Sequence, residues 1–297
     1  MSSNFLKYWL LATRPWSFVM TGFSISVGSA LAAIQGPFSP GLFCLTLMAA
    51  VFLHAAANLS NDYYDFKKGL DTRTSGTALY RPHLLVNGKL QPESVRVCAM
   101  GLFVAGIALG IWLIAARGWL VLGLGVLGIG AGLAYTAPPF NYKNIALGEV
   151  FVFLIWGPLM VEGSYFVQAG GFSLQAMWVS IPLGVLVALA LLANNLRDIA
   201  SDQARGIRTL AILLGEQRGF YLYGALLIIA YASIVLLVVF GVLAGWSLAV
   251  FFSLPLAGSI FRDMLQKIPD DADARTAQMD TAFGILLLMS LVLEALL

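Results

Sequence analysis

Apolar runs of the length that crosses a bilayer's hydrocarbon, about 20 residues, recur from one end of this chain to the other. They lie near residues 16–34, 41–60, 97–115, 119–137, 148–168, 177–193, 219–240, 246–262 and 280–297. Each is read as a membrane helix, because only helical backbone satisfies its own polar groups over such a stretch in lipid. The breaks between runs alternate in character. Residues 35–40, 169–175 and 241–245 are short and nearly chargeless, whereas the intervening connections are long and charged. Of the 17 Lys and Arg, 16 fall in the N-terminal segment or the long connections, and Arg117 is the exception. The positive-inside rule then predicts nine transmembrane helices with a cytoplasmic N-terminus and an external C-terminus.

Composition agrees with this pattern and narrows it. Hydrophobic residues make up 60% of the 297 and charged residues 11%, a ratio that a water-soluble globule cannot divide between core and surface. No Pro/Ser-rich linker interrupts the runs, so residues 1–297 are expected to form one membrane domain. A formal charge of +2 and the lack of a basic run with interleaved aromatics exclude nucleic acid as the expected partner. The first apolar run is too long for a cleaved signal peptide, and no small-residue cleavage site follows it. Cys44 and Cys98 stand in apolar surroundings and are expected to be buried packing residues.

The acidic residues need a separate explanation, since Asp and Glu contribute little to orientation. Asp62, Asp65 and Asp71 follow the second run; Asp198 and Asp202 follow the sixth. On a helix, residues three or four apart share a face. Asn58, Asp62 and Asp65 have spacings of four and three, and Asn194, Asp198 and Asp202 have spacings of four and four. An amide followed by two carboxylates is therefore written twice, each time at the same end of a span, as an internal pseudo-repeat. Carboxylates converging without a counter-ion would resist ionisation, so the arrangement implies a cation among them. Hard oxygen ligands favour Mg²⁺, commonly completed by phosphate oxygens, and Arg205 and Arg208 lie close enough in sequence to clamp a phosphate.

NLSNDYYDFKKGLD and NNLRDIASDQARGIRTLAILLG resemble the two aspartate-rich motifs of the UbiA superfamily of intramembrane aromatic prenyltransferases. The stretch YTAPPFNYKNIALGEVFVFLIWGPLMVEGSYFVQ and the N-terminal RPWS are similar to the branch that prenylates 1,4-dihydroxy-2-naphthoate in menaquinone synthesis. The resemblance covers nearly the whole chain. It implies helices around a central cavity, the two motifs facing each other at its cytoplasmic mouth, in the plasma membrane of a prokaryote. It also implies Mg²⁺-dependent transfer of a polyprenyl group from its diphosphate to an aromatic acceptor, with decarboxylation. Asp62, Asp65, Asp198 and Asp202 would hold the metal, and Lys67, Arg205, Arg208 and Lys143 would share the diphosphate charge. Asn58, Asn61, Asn194, Asn195, Tyr135 and Asp71 would be substrate or accessory residues. Asp71 follows Asp65 by six positions where the wider superfamily often has four, and Lys143 is further from Tyr135 than its usual Tyr–Lys pair. The stretch SGTALYRPHLLVNGKL departs from the branch's arginine-containing loop, so the resemblance assigns no role to Arg73 and Arg81.

Other polar residues have plainer expected roles. His54 is read as a packing or interhelical hydrogen-bonding residue and Glu149 as either a helix-start or an accessory site residue. Glu162 has no partner in sequence, and the DDADAR run is read as a solvated connection. Asp263 ends the eighth run and is placed near the mouth. The alternatives are the same donor chemistry with 4-hydroxybenzoate, homogentisate or chlorophyllide as acceptor, and a membrane transporter. A transporter would place its polar residues at the bilayer midplane, whereas these acids gather at one end.

Overall fold

The computed structural model describes residues 3–36, 38–72, 83–137 and 139–297. Arg73 and Arg81 lie outside them. Among the described residues the chain is helical throughout, with one isolated parallel bridge between Ile145 and Arg208. A short α1 (Ser3–Ala12) leads through a 3₁₀ turn into α2 (Phe18–Gln35), followed by α3 (Pro40–Lys67), α4 (Pro92–Arg117) and α5 (Trp119–Ala134). Next come α6 (Gly148–Leu154), a π turn at Ile155–Leu159, α7 (Met160–Ala169), α8 (Leu174–Arg197) and the short α9 (Ile199–Ala204). The chain ends with α10 (Leu210–Val239), a 3₁₀ segment at Gly245–Ser253 continued by α11 (Leu254–Gln266), and α12 (Ala272–Leu296).

Eight of these helices, counting α6–α7 and the 3₁₀ segment with α11 as continuous rods, are long and apolar enough to cross a membrane. The remaining apolar run, residues 119–137, forms α5, which has 16 residues and is about 24 Å long at 1.5 Å per residue. It begins at Gly118, whose φ is +85°, and ends ahead of the prolines at 138 and 139, so it is trimmed at both ends.

The two motif-bearing helices begin alike. Ser39 caps α3 by accepting from Leu42 N at 3.4 Å, and Ser173 caps α8 by accepting from Ala176 N at 3.3 Å. Helix α8 is the most deeply packed span; Leu183, Leu186 and Leu189 join Leu31 of α2, Tyr223 and Ile234 of α10, and Phe283 and Leu287 of α12 in the main core. Its approach to the α6–α7 rod is set by two glycines. A Cβ on Gly184 would stand 2.6 Å from the Phe153 carbonyl oxygen, and one on Gly157 would stand 2.9 Å from that of Ser180. Pro158, lacking an N–H, falls inside the widened π turn. The Trp156 carbonyl there accepts from Ser24 of α2 at 2.6 Å. Hydroxyl pairs Tyr231–Ser253 at 2.6 Å and Ser247–Ser290 at 2.7 Å join helices where water is absent.

At the end of the bundle opposite the motifs, Trp119, Phe172, Trp178 and Trp246 are exposed, as interfacial aromatics are. Arg117 at that end donates to the Val167 and Gln168 carbonyls at 2.5 and 2.8 Å, so its charge is engaged by the C-terminus of α7. Glu162 caps the same region, accepting from Ser173 N at 2.5 Å. Cys44 is exposed rather than buried; a small apolar side chain loses nothing by facing lipid.

Candidate active site

Helix α3 continues beyond its apolar run to Lys67, so Asn58, Asn61, Asp62 and Asp65 ride on one uninterrupted helix. The second motif crosses a break. Helix α8 ends at Arg197, and Asp198 is its cap. The bonds Asp198 N to Asn194 O (3.1 Å) and Asp202 N to Asp198 O (2.9 Å) keep the four-residue repeat into α9. The ends of both helices open into one polar cavity of about 510 Å³, lined by Asn58, Asn61, Asp65, Asp71, Asn194, Asn195, Asp198 and Asp202 together with Arg14, Lys143, Arg205 and Asp273. Beneath it an apolar chamber of about 530 Å³ runs between α3, α4, α5 and the α6–α7 rod. Arg14, Asn58, Asn61 and Tyr135 line both and form the waist between them.

Basic side chains divide the carboxylates. Arg14 pairs with Asp62. Lys143 reaches Asp65 at 2.5 Å and the Asn61 amide oxygen at 2.7 Å. Arg197 holds Asp198 through two bonds, at 2.9 and 2.7 Å, and also reaches Asn194 at 2.8 Å and Asp273 at 2.6 Å. Backbone geometry is bent to deliver these cations. Arg14 (φ 57°), Asn141 (φ 42°) and Ala146 (φ 61°) are the non-glycine residues with positive φ among those described, and all lie in the segments that carry Arg14 and Lys143. Such conformations persist only where the surrounding structure holds them.

Three of the sequence-based assignments, Lys67, Arg208 and Asp62, are not among the residues that line the cavity. Lys67 is half exposed and pairs with Glu93 at 3.4 Å. It lies five positions after Asp62, about 140° around the helix, on the other face. Arg208 is exposed, and its backbone is tied to Ile145. Asp62 lies at the flank, where its carboxylate, that of Asp71 and a His83 nitrogen fall within 4.8 Å of one another. Asp263 pairs with Arg275 at 2.7 Å away from the mouth. The DDADAR run is a connection only at Asp270 and Asp271; from Ala272 it is the start of α12, which brings Asp273 to the cavity. Arg14, Arg197, Asp273, His83 and Glu149 went unassigned or undecided from sequence. Glu149 turns out to be buried and to accept from the Asn195 amide at 2.9 Å.

The residues fit a cation on three observations. Five carboxylates line the cavity against three basic side chains. Oxygen Oδ1 of Asp65 is buried and has no hydrogen-bond partner among the described residues, an uncompensated lone-pair site there. Burial, followed by the nearby Asp198 carboxylate, holds the Asp202 carboxyl up at about 6 despite Arg205, Lys143 and Arg197. Asp71 goes the other way. Burial raises it, but the 2.9 Å bond from His83 and the charges of His83, Arg14 and Lys143 bring it below the usual carboxylate range. Asp65, Asp71, Asp198 and Asp202 give the cavity an all-oxygen lining of the kind a hard divalent ion takes, while the group of three ligand atoms within 4.8 Å of one another among the described residues is that of Asp62, Asp71 and His83.

A helical body with eight helices long and apolar enough to cross a membrane thus carries a charged cavity over an apolar chamber. Residues 21–289 match the UbiA prenyltransferase family, and the chain belongs to that family. It is 32% identical over 289 residues to a 1,4-dihydroxy-2-naphthoate octaprenyltransferase of Bacillus subtilis (strain 168), covering 95% of this chain and 91% of that one. It is 31% identical over 293 residues to the human UbiA prenyltransferase domain-containing protein 1, covering 96% and 83%. Among solved structures, a UbiA homolog from Archaeoglobus fulgidus bound to GPP and Mg²⁺ superposes with a TM-score of 0.68 at 15% identity, over 96% of this chain and 99% of that one. This last likeness carries the fold.

Proposed function

We propose that this enzyme transfers a polyprenyl group from polyprenyl diphosphate to 1,4-dihydroxy-2-naphthoate, with loss of the carboxylate, in menaquinone biosynthesis. The whole chain acts as one domain of nine transmembrane helices, α5 being the ninth, with the N-terminus and the mouth on the cytoplasmic side of a prokaryotic plasma membrane. The observation that carries this reading is the meeting of both aspartate motifs around one cavity whose floor opens into an apolar chamber. Identity of about a third, over nearly the full length, to the Bacillus subtilis octaprenyltransferase supports the naphthoate acceptor.

Asp65, Asp71, Asp198 and Asp202, with Asp62 at the flank, would hold Mg²⁺. When bound, the ion supplies countercharge to the diphosphate as the allylic C–O bond breaks. Lys143, Arg14 and Arg205 take the remaining phosphate charge, Lys143 exchanging its bond to Asp65 for one to the substrate. Asn61, Asn194 and Asn195 keep these groups in place through their hydrogen bonds to Lys143, Arg197 and Glu149. The chamber keeps water from the carbon that becomes electron-poor. Tyr135 at the waist, in edge contact with Tyr142 at 5.3 Å, offers an aromatic face to it. The ring carbon of the acceptor attacks there, and its carboxylate leaves as carbon dioxide.

Incubating the purified enzyme with Mg²⁺, a polyprenyl diphosphate and a panel of aromatic acceptors tests the assignment. A decarboxylated prenyl naphthoquinol, detected by mass, is the expected main product. Preferential turnover of 4-hydroxybenzoate or homogentisate would reassign the acceptor.

A further inference from the structure

One cluster in the chamber wall makes hydrogen bonds that the steps above do not use. His54 is on α3, one turn before Asn58, buried and edge-on to the rings of Phe18 and Trp156 at 5.4 and 5.2 Å. Its Nε2 lies 3.2 Å from Ser17 Oγ and its Nδ1 2.7 Å from Thr21 Oγ1. Counting donors settles the tautomer. The Ser17 hydroxyl donates to the Arg14 carbonyl at 2.7 Å, so Ser17 Oγ must accept from the ring Nε2–H. Nδ1 is then an acceptor. Thr21 donates to it and accepts from Trp156 Nε1 at 3.2 Å. The imidazole is neutral with both nitrogens engaged, and the chain ends on a backbone carbonyl that cannot pass a proton onward. This cluster is therefore not a proton relay.

Its consequence falls on Asn58. Both amide hydrogens of Asn58 are committed, to the Thr13 carbonyl at 3.0 Å and to Ser17 Oγ at 3.1 Å. Because the Thr13 carbonyl can only accept, the amide cannot be flipped. Oxygen Oδ1 has no hydrogen-bond partner among the described residues, yet it is not a fully buried atom, and Asn58 lines both cavities. The aromatic acceptor has to stand at the waist, beside the carbon that loses diphosphate. A hydroxylated ring there needs a hydrogen-bond acceptor; of the other groups at the waist Arg14 only donates and Asn61 Oδ1 already accepts from Lys143 at 2.7 Å, which leaves Asn58 Oδ1 beside the Tyr135 hydroxyl. The chamber's Thr46 and Ser164 are spent on the Leu42 and Val161 carbonyls at 2.7 and 3.0 Å.

We propose that Asn58 Oδ1 receives a hydroxyl of the aromatic acceptor, and that His54 is the positioning residue which, through Ser17, holds Asn58 in that orientation. This rests on the aromatic prenyl-transfer reading. The test measures acceptor KM, donor KM and Mg²⁺ half-saturation for the wild type, His54→Leu, His54→Gln and Thr21→Val. In His54→Leu the acceptor KM should rise about tenfold, the loss expected for one misplaced hydrogen bond, with donor KM and Mg²⁺ half-saturation unchanged. His54→Gln, which keeps one donor and one acceptor on a planar group, should recover most of the affinity. Thr21→Val keeps the shape of the side chain and reads the same effect should the leucine variant not fold; its acceptor KM should rise about threefold. An unchanged acceptor KM in the variants that fold overturns the inference. So does an equal shift in donor KM or Mg²⁺ half-saturation, which would make Asn58 a metal or donor contact. A wild type that turns over no aromatic acceptor overturns the function itself, and this inference with it.

Discussion

Asp202 has a carboxyl whose ionisation the protein resists, first through burial and then through the charge of Asp198. Its folded value of about 6 stands above the ordinary 3.8. The stabilisation from keeping its proton is thus complete below the ordinary value and is lost as pH rises through about 6. In EDTA the thermal midpoint of the wild type should therefore fall between about pH 4 and 6 relative to that of Asp202→Asn, and Mg²⁺ at pH 7 should remove the difference. Parallel curves in EDTA would show that Asp202 feels no such strain. Neighbouring charges differ more sharply in consequence. Asp65→Asn and Asp198→Asn should each lower kcat/KM by about 100-fold or more, whereas Lys67→Ala and Arg208→Ala, outside the cavity, should stay within about threefold; steady-state rates at saturating Mg²⁺ check both. That Asp65, Asp198 and Asp202 share a cavity was legible because the acidic spacing repeats, whereas Asp62, in the same repeat, turns to Arg14 at the flank. Arg14 was not, because its partner Asp62 is 48 residues away, and Asp273 was not, because an acidic run at a helix start reads as a solvated connection.

Among the helices, hydrophobic length located the eight that are long and apolar enough to cross a membrane, and the structure changed mainly their ends. Helix α3 carries its motif past the apolar boundary, α12 starts eight residues before its apolar run, and α5 is cut short by glycine and proline. What no run length reveals is which helices touch. The close crossing of α8 over the α6–α7 rod depends on Gly184 and Gly157, and these are two among 30 glycines in the chain. Replacing Gly184 by Leu would drive a side chain into the Phe153 carbonyl and displace the π turn that presents Trp156. Such overpacking costs about 1–3 kcal/mol, and it should lower the thermal midpoint in detergent while Gly36→Leu, in open space, leaves it unchanged. A Gly184→Leu midpoint equal to that of the wild type would mean that the crossing tolerates a wider spacing.

For the molecule as a whole, the proposed function depends on two motifs, 136 residues apart in the chain, acting on one diphosphate. Neither the fold nor either motif alone supplies the site; α3 brings one half and α8 with α9 the other. Pooled charge makes the halves interdependent, so removing either should cost nearly as much as removing both. The decisive measurement is calorimetric titration of a polyprenyl diphosphate into wild type, Asp65→Asn, Asp198→Asn and the double variant, each with Mg²⁺ and with EDTA. Mg²⁺-dependent binding should be present in the wild type, lost in each single variant and no weaker in the double. A single variant that still binds the diphosphate with wild-type affinity and the same Mg²⁺ dependence would contradict a shared grip.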